Sequence, residues 1–152
     1  MPTGVWPWRS NSAVTKAKCW MTSTLIIGYG SPLRGDDAVG FEAAERLGGM
    51  ALHQLTPDLM EPISRAALVV FIDAKAEGVP GTIEERTVEP ATSGGPFTHH
   101  ASPEALLAGA RALYGKCPPA KLITIVGADF EIGHPLSPPV LAALESLLEN
   151  LG

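Results

Sequence analysis

Apolar and polar positions alternate in a regular rhythm from Thr24 onward and in none before it. Thr24–Tyr29 (TLIIGY) is a short β-branched run, which predicts a buried strand. A turn-rich loop, Gly30–Gly35, follows. A helix is then predicted from Asp37 to Leu47, with Asp36 as its N-cap and Gly48-Gly49 as its stop. Ala51–Leu55 predicts a second strand. Thr56-Pro57 opens a helix with the apolar stripe Leu59, Met60, Ile63, Ala66, Ala67. Ala67–Ile72 (ALVVFI) is apolar without interruption, as expected of a parallel strand covered on both faces, and it ends at Asp73. The more charged Thr82–Val88 predicts a strand at a sheet edge. Ser102-Pro103 caps a helix with the stripe Leu106, Leu107, Ala110, Leu113, Tyr114. Leu122–Val126 is a further buried strand. Ser137-Pro138 caps the last helix, whose stripe is Val140, Leu141, Leu144, Leu147, Leu148, Leu151.

Strands alternating with helices predict an α/β fold: a three-layer α/β/α sandwich with a mostly parallel, twisted sheet of about five strands. The expected organisation is one domain over residues 24–152, preceded by an extension or disordered tail over residues 1–23. All three tryptophans (Trp6, Trp8, Trp20) lie in that first segment, without periodicity. The length of 152 residues suits one domain and is enough for a real core. No apolar run is long enough for a membrane-spanning helix, so no membrane partner is expected.

Charge narrows the partners. The formal net charge is -5, but residues 1–23 hold Arg9, Lys16 and Lys18 and no acid, leaving an acidic body. Such a surface argues against nucleic acid and suits a cation or a basic partner. Cys19 and Cys117 form no CxxC pair, so a reducing, cytoplasmic setting is expected.

Ligands of such sheets bind beyond the carboxyl ends of the strands, where strand order reverses. Three places qualify: the loop after the first strand, Asp73, and a later loop above them. The first loop is not a dinucleotide fingerprint, because the third glycine of GxGxxG is replaced by Leu33, and two acids at a helix start would repel phosphate. Asp36 is explained as a cap. One cap suffices, which leaves Asp37 to face Asp73 across the crevice. Two such carboxylates raise each other's pKa unless a cation lies between them; Arg34 or a metal could serve. Thr98-His99-His100 adds imidazole, and imidazole with two carboxylates is a ligand set for Zn, Fe or Ni. His53, inside the second strand, and His134, in a Gly-Pro loop, are read as structural or solvated. No GxSxG elbow or cysteine signature is present, so hydrolysis would use water activated by a metal or a carboxylate.

At these residues the chain resembles the [NiFe] hydrogenase maturation proteases. Leu25 to Gly40 resembles the family's GxGNxLxxDD/EGxG block. Arg65 to Ala74 resembles its strand ending in Asp-Ala, and Phe97 to Pro103 the block with the metal-site histidine. Leu122–Gly127 and Gly133–Pro138 resemble the closing strand and helix start. His53 to Leu59 further resembles the branch serving bidirectional, NAD-linked hydrogenases.

The resemblance implies an endopeptidase that recognises nickel in the precursor of a hydrogenase large subunit and trims the precursor's C-terminal extension. Nickel would come with that partner rather than being held permanently. The implied metal-holding and catalytic residues are Asp37, Asp73 and His99, with His99 rather than His100 as the ligand. A cytoplasmic monomer is expected. Ser31 stands where the family usually has Asn, and Ala38 where Gly is common. The rival expectations are a metallopeptidase or amidase with a permanent zinc, and a non-catalytic chaperone of the nickel site.

Overall fold

The computed structural model describes residues 23–92 and 101–151. The chain runs β1 (Thr24–Tyr29), a 3-10 turn (Gly35–Ala38), α1 (Val39–Leu47), β2 (Met50–Leu52), a second 3-10 turn (Pro57–Leu59), α2 (Met60–Arg65), β3 (Leu68–Lys75), β4 (Ile83–Thr87), α3 (Pro103–Tyr114), β5 (Ala120–Val126) and α4 (Pro138–Leu151). These strands form one five-stranded sheet in the order β2-β1-β3-β5-β4. All neighbours are parallel except β4, which runs antiparallel to β5 at the edge.

The helices cover both faces, as the continuous apolar strands require. On one face, Val39 and Ala43 of α1 and Val140, Leu144 and Leu147 of α4 pack on Val70, Ile72, Ile123 and Ile125. On the other, Leu59, Met60 and Ile63, with Leu106, Leu107 and Ala110 of α3, pack on Ile27, Val69, Phe71 and Leu122. The predicted three-layer sandwich is the architecture observed.

Several local expectations are corrected. The strand after α1 spans only Met50–Leu52, so His53 lies in a bend beyond it, exposed, with its ring 5.7 Å from that of Phe41. The strand predicted to stop at Ile72 continues through Asp73 to Lys75, because β5 pairs with it that far. Leu113 and Tyr114 do not join the core stripe of α3; they are 70% and 48% exposed. Leu141 of α4 is likewise exposed, and Ala143 takes a core place instead. Thr56 makes no capping bond to backbone; its hydroxyl donates to the Asp58 carboxylate. Ser102 does cap α3, its Oγ accepting from the Ala105 N–H at 3.1 Å.

The path of the chain places a crevice. From β1 it moves to β2 on one side, then returns past β1 to β3 on the other, so strand order reverses between β1 and β3. That reversal is where ligands enter open α/β sheets. Close packing holds α1 against it. A Cβ on Gly28 would lie 1.9 Å from the Gly40 carbonyl oxygen, and one on Gly40 would lie 2.4 Å from that of Ile72. Only hydrogen fits at either position, so the loop between β1 and α1 is pulled down onto the end of β3.

Candidate active site

Tyr29 and Asp73 emerge side by side. Gly28 pairs with Ile72, so the next residues, Tyr29 at the end of β1 and Asp73 two residues before the end of β3, are neighbours. Both are partly buried. Burial pushes the Asp73 carboxyl up to about 6. The N–H of Ala74, donating to Oδ1 at 2.7 Å, pulls the other way; the charge of Asp37 adds to the rise, and the Tyr29 hydroxyl opposes it. Burial and the Asp73 charge in turn raise the Tyr29 phenol.

Asp37 reaches the same crevice from the loop after β1. Its Oδ2 accepts the Ser31 N–H at 2.8 Å, which folds the loop back on itself. Gly30 makes the fold possible: its φ is +138°, and a Cβ there would lie 2.2 Å from the Asp37 carbonyl oxygen. The two acids expected to face each other are near enough that the charge of Asp37 acts on Asp73. Arg34, the candidate protein cation, is exposed and forms no ion pair among the described residues. The carboxylates have oxygen donors for a hard or borderline cation, and the ion pairs found among the described residues include neither of them. His99 and His100 lie outside the described residues. Among the described residues, no three His, Cys, Asp or Glu side chains form a complete metal site.

Asp36 is not the N-cap of α1, which corrects the sequence-based expectation. It lies within the 3-10 turn Gly35–Ala38 and is fully buried. Its Oδ2 accepts the N–H groups of Ala128 at 2.7 Å and Asp129 at 3.0 Å and the Ser137 hydroxyl at 2.7 Å; Oδ1 accepts the Ser137 N–H at 2.7 Å. Burial alone would raise this carboxyl, but the four donors hold it below the ordinary carboxylate range. Ser137, expected only as a helix cap, therefore spends its hydroxyl on the first loop. His134 pairs with Asp129, Nδ1 to Oδ2 at 2.7 Å, on the exposed side of this loop, in agreement with a structural or solvated role. That hydrogen bond raises its pKa.

Sequence reasoning missed Tyr29, Ser137 and the true role of Asp36. Tyr29 could have been found from the register of two adjacent parallel strands, each ending at the crevice. The Asp36–Ser137 contact joins residues 101 apart in sequence and carried no local signal.

The fold and the acid pair define a three-layer sandwich with carboxylates at its switch point. No family model matches the sequence, and no curated protein does. Solved structures match in fold. The hydrogenase maturating endopeptidase HybD from E. coli superposes with a TM-score of 0.63 at 23% identity, over 86% of this chain and 90% of that one. The [NiFe] hydrogenase maturation protease HycI from Thermococcus kodakarensis KOD1 gives 0.63 at 24% identity, over 91% and 97%. A hydrogenase 3 maturation protease gives 0.66 at 19% identity, over 86% and 90%. This chain has the fold of the hydrogenase maturation endopeptidases.

Proposed function

We propose that this chain is an endopeptidase that recognises nickel in the precursor of a [NiFe] hydrogenase large subunit and removes the precursor's C-terminal extension. The observation that carries the reading is the pair Asp37 and Asp73, half-buried at the β1/β3 switch point, the charge of one acting on the other, and neither in an ion pair among the described residues. Two acids so placed repel each other, and a divalent cation arriving with the substrate relieves that repulsion. The fold likeness to proteins named hydrogenase maturation endopeptidases supports the same reading.

Nickel is here part of the substrate: it anchors the precursor where the carboxylates converge. Asp37 meets it from a loop pinned by the Ser31 N–H. Asp73 meets it from a rigid strand paired on both sides. The resemblance to the maturation proteases adds His99 to the set. Because burial holds Asp73 at about 6 before substrate arrives, docking of the cation displaces a proton from it in mildly acidic solution. Hydrolysis then adds water across one peptide bond, leaving a new carboxyl on the subunit and a free amine on the released peptide. The acidic body of the protein fits a protein substrate rather than nucleic acid.

The test is incubation of the chain with the precursor, nickel-loaded or nickel-free, followed by intact-mass measurement. Shortening of the loaded precursor alone is expected. Loaded precursor left intact would overturn the reading and favour a non-catalytic chaperone. One zinc per chain that resists chelation would favour a permanent metallopeptidase.

A further inference from the structure

We infer that Asp36 is the positioning residue of this site: it holds the Asp37 carboxylate in place by locking the first loop to the segment between β5 and α4. The inference rests on the reading of Asp37 as a working carboxylate and adds a residue that the reading does not use.

Three observations carry it. Asp36 is fully buried, yet both carboxylate oxygens are satisfied, by three backbone N–H groups and one hydroxyl. Charge-assisted bonds of this kind are about twice as strong as neutral ones, and a buried carboxylate that lost them would be costly. Next, the lock is two-sided. The Asp36 N–H donates to the Asp129 carbonyl at 2.7 Å, so main chain and side chain grip the same segment. A Cβ on Gly35 would lie 2.2 Å from that carbonyl oxygen, and one on Gly127 would lie 2.8 Å from the Asp36 Cβ, so the two segments touch without slack. Finally, Asp37 is the next residue. With Asp36 fixed and α1 pressed on the sheet, the Asp37 backbone has no freedom to swing, and its carboxylate stays on the Ser31 N–H.

A cap could be replaced by any short polar residue. This arrangement could not, because it needs an acceptor-only side chain. Asn would turn an N–H₂ group toward main-chain N–H donors. Since errors of about 1 Å in a reacting group cost on the order of 100-fold in rate, a loosened loop should appear in turnover before it appears in substrate binding.

The direct readout is amide hydrogen exchange at Ser31, because that N–H is protected only while the Asp37 carboxylate stays on it. In Asp36→Asn, assayed at a temperature where circular dichroism shows full folding, Ser31 exchange should quicken about tenfold or more. Ser137→Ala should quicken it less, and Ser137→Thr should restore it. In the cleavage assay, kcat should fall about 10- to 100-fold in Asp36→Asn, with KM within about threefold. Faster exchange at Ala128 and Asp129 with Ser31 unchanged would overturn the inference and leave Asp36 a purely structural residue. If Asp36→Asn does not fold, the Ser137 pair decides by the same readout. If the parent chain cleaves no precursor, the proposed function falls, and exchange at Ser31 still decides this point.

Discussion

The Asp37 carboxylate and the Ser31 N–H, 2.8 Å apart, close the first loop into a small ring. The two possible replacements of Asp37 should therefore differ in stability and agree in activity. Asp37→Asn keeps an oxygen for the Ser31 N–H and removes the charge; Asp37→Ala removes both. Both should abolish trimming of a nickel-loaded precursor. Only the alanine variant should lose stability, by about 1 kcal/mol, the net worth of one hydrogen bond. Chemical denaturation and the cleavage assay check the pair, and normal cleavage by either variant would remove Asp37 from the site.

Asp73 makes stability depend on pH. Its folded pKa, about 6, is above the ordinary 3.8, so the folded state holds a proton that the unfolded state releases between those values. Stability from this group is therefore greatest below about pH 4 and falls as pH rises through 6, by at most about 3 kcal/mol. Asp73→Asn removes the charge and keeps an acceptor for the Ala74 N–H. The variant should melt higher than the parent at pH 8 and equal it near pH 4, while cleavage is lost. A lower melting temperature at pH 8 would show that the carboxylate is not under strain.

His99→Ala should lose cleavage and His100→Ala should keep most of it. The motif places the ligand three residues before Ser102, the N-cap of α3. The reverse outcome in the same assay would mean that the histidine register is displaced by one.

Gly40→Ala should destabilise the protein without touching any charged group. Its Cβ would meet the Ile72 carbonyl oxygen at 2.4 Å, and α1 would have to lift from the sheet. Overpacking of this kind costs about 1–3 kcal/mol. Cleavage measured well below the melting temperature should also drop, because the same shift moves Asp37. An unchanged denaturation midpoint would mean that the helix tolerates the move.

The layers of this fold were legible because they depend on repeating patterns. The apolar run Ala67–Ile72 read as a strand covered on both faces, and Val69–Ile72 are buried as such; of the stripe on α3, Leu106, Leu107 and Ala110 face inward while Leu113 and Tyr114 do not. Asp37 and Asp73 were legible as a pair because the switch-point rule names the ends of strands before their exact lengths are known. What local pattern could not supply was pairing at a distance. The length of β3 depends on β5, so Asp73 was taken as a terminus when it is an interior position. Asp36 looked like a cap because acids favour helix starts. Its real partners, Ala128, Asp129 and Ser137, lie at the far end of the sequence, and only the folded chain brings them near.

The Asp36–Ser137 contact also has a consequence in time. Its two ends are 101 residues apart, and α4, the last helix described, begins immediately after Ser137. Contacts of such separation form late, after the nearer ones have shortened the intervening loop. A chain still emerging from the ribosome can build β1, β3 and their apolar core while Asp36 has no partner. The carboxylates are then present but unset. On the proposed reading, cleavage would begin only when α4 docks.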